Sequence, residues 1–199
     1  LIIPTRVTAP AVEPVTLSEI KTHLRGINHL EHETLLRNLI ESARQQVEAQ
    51  TGRALVQRQV IAYFEGWPDS NVFELPFPKL QSVTTVKYTG TDGTQSTFST
   101  DNYSVDIDSE PGRVVLGYSK TWPSTTLHEL DNPIEITYLC GYAPTADSPA
   151  DYVANIPESI KTAMKFIVEL NYDRPPDGYA KTLENAVDAL LAVYKVWGF

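Results

Sequence analysis

The chain has 199 residues, of which 42% are hydrophobic and 21% charged, and its formal net charge is −9. A chain of this length buries roughly 70% of the surface its unfolded form exposes, and its one cysteine, Cys140, excludes an internal disulfide. No apolar run is long enough to span a bilayer, the opening LIIPTRVTAP lacks signal-peptide anatomy, and the 10 acids of residues 101–159 face only Arg113 and Lys120, a balance that repels phosphate and argues against a protein that grips nucleic acid.

In chain order, PVTLSEIKTHLRG opens a first helix. Thr16 is its expected N-cap and Glu19 stands three residues on, the spacing of a capping box. Leu17, Ile20 and Leu24 share one face, and Gly26 is expected to end the helix. A second helix is predicted from about Glu31 to Thr51. Leu36, Leu39, Ile40, Ala43 and Val47 form its apolar stripe, with Arg37, Glu41, Arg44, Gln45 and Glu48 on the other side. It spans roughly 30 Å at 1.5 Å per residue. Gly52 can take the left-handed conformation that closes a helix.

From Ala54 to about Cys140 the period changes to two. LVQRQVIAYFEGW is apolar and β-branched, VFELPFP is short and bounded by prolines, and SVTTVKY alternates into TGTDGT. Asp92-Gly93 at the centre of that turn is a strong hairpin signal. STFS, YSVDI and RVVLGY follow as short strands, and in IEITYLCGY the residues Ile134, Ile136, Tyr138 and Cys140 face one way. About seven strands without intervening helices read as an antiparallel meander or small barrel. A loop rich in small residues, Pro and Asp leads to Pro157 at the start of a third helix, whose stripe is Ile160, Ala163, Met164, Ile167 and Val168. DRPPDG breaks it and marks 173–182 as a breaker-rich hinge. A last helix is predicted over about Lys181 to Trp197, with Leu183, Ala186, Val187, Leu190, Leu191, Tyr194 and Trp197 in its stripe.

The expected fold is therefore α+β: a discontinuous helical domain from residues 14–53 and 155–199, with an inserted β domain over 54–145. The helices can bury their stripes against one another and against one face of the sheet.

Catalytic patterns are missing: there is no Gly-rich phosphate loop, G-x-S-x-G elbow, H-E-x-x-H or Cys pair. His29, His32 and Glu33 in HLEHE could share a metal with a ligand from elsewhere, or form an exposed polar helix start where acids suit the dipole. Asp106, Asp108 and Glu110 in DIDSEPG resemble the start of a calcium loop, but Pro111 stands where that loop needs Gly and Gly117 where it needs an acid, so a turn between strands fits better. No spacing supports a Ser-His-Asp triad. The expectation is a protein that is not an enzyme and takes no cofactor. The aromatic residues Tyr172, Tyr179, Tyr194, Trp197 and Phe199 crowd the C-terminal end, where helical spacing suits either a core stripe or a docking face.

Taken together, these stretches resemble the head–tail connector (adaptor) proteins of tailed bacteriophages and gene-transfer particles, in the longer form with a β insertion. The resemblance rests on Pro14, Leu17, Lys21, Leu24 and Arg25; on ARQQVEAQTGRAL at Ala43, Val47, Glu48, Thr51, Gly52, Arg53 and Leu55; and on Leu75, Pro76, Pro78, Val83, Val86, Tyr88, Asp92 and Gly93. Trp122-Pro123, Gly141-Tyr142 and IPESIKTAMKFIVELNYDR follow in the expected order, and AVDALLAVYKVWGF resembles the closing helix. It implies a structural protein of the virion at the head–tail junction, made in the cytoplasm of a bacterial host. In the particle it forms a dodecameric ring beneath the portal, extends the DNA channel and meets a downstream neck or tail-completion protein. Double-stranded DNA passes through without sequence-specific binding, and no membrane is involved.

On this resemblance Arg25, Arg44 and Arg53 are candidate subunit-interface residues, and Arg53 has either a local cap or intrachain pair, or an acid of a neighbouring subunit, as its partner. Tyr179, Lys181, Tyr194, Trp197 and Phe199 are candidates for docking the portal. Asp106, Asp108 and Glu110 are candidate channel-facing acids that would let DNA slide, or alternatively part of a solvated outer rim. The competing reading is another virion or cell-surface binding module that uses its β domain. A weaker one is a metal-dependent enzyme using His29 and His32.

Overall fold

The computed structural model describes residues 5–25, 32–129, 132–173 and 175–196. Among these, residues 10–56 and 142–196 form one compact unit, and residues 5–9 and 57–141 form another.

The first unit is helical. Helix α1 (Leu17–His23) starts on the capping box: the Thr16 hydroxyl accepts from the Glu19 N–H at 3.2 Å, and the Glu19 carboxylate accepts from the Thr16 N–H at 2.8 Å. The helix ends before Gly26, which lies outside the described residues. Leu24 caps it, and Arg25 takes the left-handed conformation at φ 63°. Helix α2 (Glu33–Thr51) closes on Gly52 at φ 70°, whose N–H donates to the Glu48 carbonyl. Helices α3 (Glu158–Tyr172) and α4 (Asp177–Leu191) complete the unit. Leu36, Ile40, Ala43 and Val47 of α2 share a core with Ile20, with Ile160, Ala163, Met164, Ile167 and Val168 of α3, and with Val187 and Leu191 of α4. Each large apolar side chain fully buried there contributes roughly 1.5–3 kcal/mol.

Two sequence expectations change in this unit. The last helix begins at Asp177 and ends at Leu191, earlier at both ends than the periodicity suggested. The Pro-Pro pair explains its start, because Pro176 lacks an N–H and is pre-set for a helix entry, so the break is shorter than a 173–182 hinge. Past Leu191 the chain makes one 3₁₀ turn (Ala192–Tyr194), so Tyr194 is not on the α4 stripe. Arg44 likewise leaves the solvent face to which its charge assigned it, and is only 5% exposed.

The other unit carries two antiparallel sheets. Strands β1 (Thr5–Val7), β2 (Arg58–Phe64), β8 (Ile134–Cys140), β4 (Leu80–Thr89) and β5 (Gln95–Phe98) lie in that order in the first. Strands β3 (Val72–Leu75), β7 (Gly112–Leu116) and β6 (Tyr103–Asp106) make the second. Neither a barrel nor a simple meander forms. The five-stranded sheet keeps β1 and β5 as its edges, and β8 enters between β2 and β4. Its burial alternates residue by residue, with Ile134, Ile136, Tyr138 and Cys140 inward. The β4–β5 hairpin turns at Gly93 (φ 78°), and Asp92 Oδ1 accepts the Thr94 N–H at 2.9 Å. Strand β1 was not legible as an element; its three residues carry no alternation to read.

Candidate functional site

The end of α2 gathers several of the residues singled out by sequence. Arg44 is held inside the subunit: Nε donates to Glu13 Oε2 at 2.8 Å and Nη1 to Glu48 Oε2 at 3.0 Å. Burial alone would lower its pKa, but the bonds to Glu13 and Glu48 outweigh this and keep it raised. Glu48 also accepts the Leu55 N–H through Oε1 at 3.0 Å, which ties the chain leaving α2 back to the helix. One turn on, Arg53 is 7% exposed, and its Nε donates to the Tyr194 carbonyl at 2.6 Å. The Val196 N–H donates to the Thr51 carbonyl at 3.0 Å. Arg25, by contrast, is exposed.

The C-terminal candidates fall into three places. Tyr179, half exposed on the first turns of α4, donates its hydroxyl to Glu169 Oε1 at 3.1 Å, and that carboxylate holds its pKa above the ordinary value. The other oxygen of Glu169 accepts from His23 Nε2 at 2.8 Å, so one carboxylate of α3 joins α1 to α4. Lys181 is exposed and pairs at 3.6 Å with Glu184. Tyr194 packs inward, its hydroxyl bonded to Ser159 Oγ at 2.8 Å. Trp197 and Phe199 lie outside the described residues.

Asp106, Asp108 and Glu110 do come together, at the turn between β6 and β7. Asp106 accepts from the Ser109 hydroxyl and from the N–H groups of Ser109 and Asp108, and these bonds hold its carboxyl below the usual range. Its oxygens serve the turn, while Asp108 and Glu110 are exposed.

The HLEHE residues are dispersed to other work: Glu33 pairs with Lys21, His32 Nδ1 is hydrogen-bonded to the Tyr172 hydroxyl at 2.6 Å, and His29 lies outside the described residues. Among the described residues no group of three His, Cys, Asp or Glu is arranged to hold a metal ion. No helix among them is long and apolar enough to cross a membrane. A cleft of about 320 Å³ between α1 and α3 is lined by Ser18, Glu19, Thr22, His23 and Lys165. Its ionisable groups are engaged, Glu19 with Lys165 at 3.3 Å and His23 with Glu169 at 2.8 Å.

Comparison with known proteins decides what these features belong to. Residues 14–108 match the phage gp6-like head–tail connector family. Over that stretch the chain is similar to the proteins of this family. The matched family is one of structural head–tail connectors. The fold of the whole connector is shared with solved neck chains. One, from the neck of an empty gene transfer agent particle computed with C6 symmetry, superposes with a TM-score of 0.79 at 18% identity, over 100% of this chain and 97% of that one. A chain of the virion of a native gene transfer agent particle gives 0.73 at 15% identity, over 98% and 96%. Another, from the neck of a native particle computed with C12 symmetry, gives 0.72 at 16%, over 100% and 97%. No curated protein matches the sequence significantly.

One aromatic cluster of the connector escaped the sequence reading, which looked for aromatic residues at the C-terminus. In the β unit Trp67 stacks on Trp122 with centroids 4.9 Å apart and planes 12° from parallel, and Phe73 and Phe98 pack against both rings. The dipeptides Trp67-Pro68 and Trp122-Pro123 are the signal that could have paired them.

Proposed function

We propose that the connector assembles as a closed ring of twelve copies beneath the portal, extends the DNA channel and offers the next neck or tail protein its platform. The observation that carries this reading is the full-length structural likeness to chains of a neck computed with C12 symmetry, joined to the connector match over residues 14–108. A closed ring needs heterologous contacts, in which one face of a subunit meets a different face of its neighbour. With Arg44 and Arg53 engaged inside the subunit, the exposed Arg25 is the candidate arginine left for such a contact. The helical segments form the ring and the portal dock, and residues 54–145 are an inserted domain.

The acids of the β6–β7 turn face the channel in this reading. DNA carries one charge per roughly 1.7 Å of axis, and a lining of like charge does not retain it. Replacing Asp108 and Glu110 with Asn and Gln leaves the Asp106 turn intact. Slower DNA ejection from particles carrying that double variant is the expected result, and ejection at the wild-type rate refutes the channel placement.

The experiment for the whole reading is to mix the purified chain with the portal protein of the same particle and image the product. A ring stacked on the portal supports it. No binding to a competent portal refutes docking by the free chain and favours a binding module built on the β unit.

A further inference from the structure

We propose that copies of this chain meet in the ring through the outward faces of α2 and α4, with α2 of one subunit lying along α4 of the next. The inference rests on the ring reading above and names the two faces that make its heterologous contact. On α2 the exposed residues Leu35, Asn38, Ser42, Gln45 and Ala49 follow one another at spacings of three and four, which keeps them on one line of the helix, as in the seam of a coiled coil. No charge interrupts that line, although 21% of the chain is charged. The charges stand to one side of it: Arg37 and Glu41 are exposed there, and Arg44 is buried with Glu13 and Glu48. A helix face that meets only water carries charged residues across it, whereas the centre of a subunit contact is depleted of them. Leu35, which opens the seam, is 48% exposed.

Helix α4 repeats the pattern. Gly178, Thr182, Asn185 and Ala189 are exposed at the same spacings, with Asp177, Lys181, Glu184 and Asp188 to one side. Gly178 has no packing reason inside the subunit, because a Cβ there would meet nothing within 4 Å. A glycine lowers helix propensity, and a second helix passing close is a reason to keep it. The directions agree as well. His32, just before α2, bonds Tyr172 at the end of α3, and Ser159 in the first turn of α3 bonds Tyr194 just past α4. Since α3 packs against both helices, α2 and α4 run parallel to each other and antiparallel to α3. One step around a ring of twelve turns any helix by at most about 30°, so α2 meets the neighbour's α4 running the same way, at a shallow crossing that suits interdigitating ridges. Charge is complementary at one end of this pairing. Among the described residues Arg37 has no partner beyond its attraction to Glu33, and Asp177 has none. Both stand near the start of their helices, so the parallel arrangement brings them to the same level on the rim of the contact.

The test uses particles assembled with the full-length chain as wild type, S42K, S42C/N185C, R37E, D177R and R37E/D177R, and images their necks. Ser42 is exposed, so S42K leaves the thermal transition of the purified chain in place. It is expected to lower the share of particles with a complete ring about tenfold or more, because its charge would be buried unpaired between two helices. R37E and D177R are each expected to lower that share about threefold, and R37E/D177R to restore it. Ser42 and Asn185 stand near the middle of their helices, and the native Cys140 is buried. Isolated necks of S42C/N185C, treated with a bifunctional thiol reagent, should therefore give a ladder that climbs past dimer on a denaturing gel, with S42C and N185C alone remaining monomers. Wild-type ring content in S42K, a ladder that stops at dimer, or dimers from S42C alone overturns the α2–α4 contact. A charge swap no better than its single variants overturns the parallel register. Wild-type necks without a closed ring refute the ring reading itself, and the contact with it.

Discussion

Replacing Arg44 with Met removes the centre of a three-carboxylate cluster while keeping an unbranched side chain of similar length on α2. The side chain of Arg44 is 6% exposed, against 32% for Glu13, 11% for Glu48 and 55% for Glu41. The 3.9 Å contact to Glu41 is long and its carboxylate is in water, so it contributes nothing measurable. The bonds to Glu13 and Glu48 are charge-assisted and shielded, and each contributes about 1.5 kcal/mol after allowing for the partial exposure of Glu13. The total is about 3 kcal/mol, at the lower end of what breaking a buried pair costs. For a chain of this size that corresponds to a fall in Tm of roughly 6–12 °C. The assay is thermal unfolding followed by helical circular dichroism, with E13Q and the double variant R44M/E13Q closing a cycle. Arg44 and Glu13 should be non-additive by about 1 kcal/mol or more, because they share one bond. A fall in Tm below about 2 °C would refute the reasoning. A variant that melts like wild type but no longer forms rings would place Arg44 at the neighbour rather than inside the subunit.

Two further outcomes follow from local geometry. T16A should cost about 1 kcal/mol by removing the hydroxyl half of the α1 capping box, and should weaken the acid limb of the stability curve in part, since the residue-16 N–H and Lys165 still bond Glu19. Burial pushes Glu19 up, but the Thr16 bonds and Lys165 outweigh it, so its folded pKa lies below 4.5. Such a group stabilises the fold above its unfolded value and loses that contribution as pH falls through the lowered folded one. Urea titrations between neutral pH and about pH 3 read this, and a T16A curve parallel to wild type would contradict it. G112A should disrupt the contact of β7 with β4, because its Cβ would stand 2.3 Å from Leu80 Cβ and 2.8 Å from Leu80 Cδ2. Truncation to L80A leaves the closest clash in place, so the double variant should be no more soluble or stable than G112A alone. Rescue by L80A would show that the backbone yields there.

Where a signal is local, the sequence by itself was sufficient. Thr16 with Glu19, Gly52 after Thr51, Asp92-Gly93 in its hairpin and the alternation of Ile134 to Cys140 each depend on neighbours within a few residues, and each forms as read. The connector family, too, was visible in the order of such stretches along the chain. Tertiary structure alone decided the rest. Strand β8 inserts between β2 and β4 because pairing depends on which edges meet, and nothing in its own residues records that. Arg44 could be placed on the solvent face by charge, yet its bonds to Glu13 and Glu48 offset the cost of its burial. Arg53 shows the same limit: its partner is a backbone carbonyl 141 residues away, and a carbonyl has no letter in the sequence.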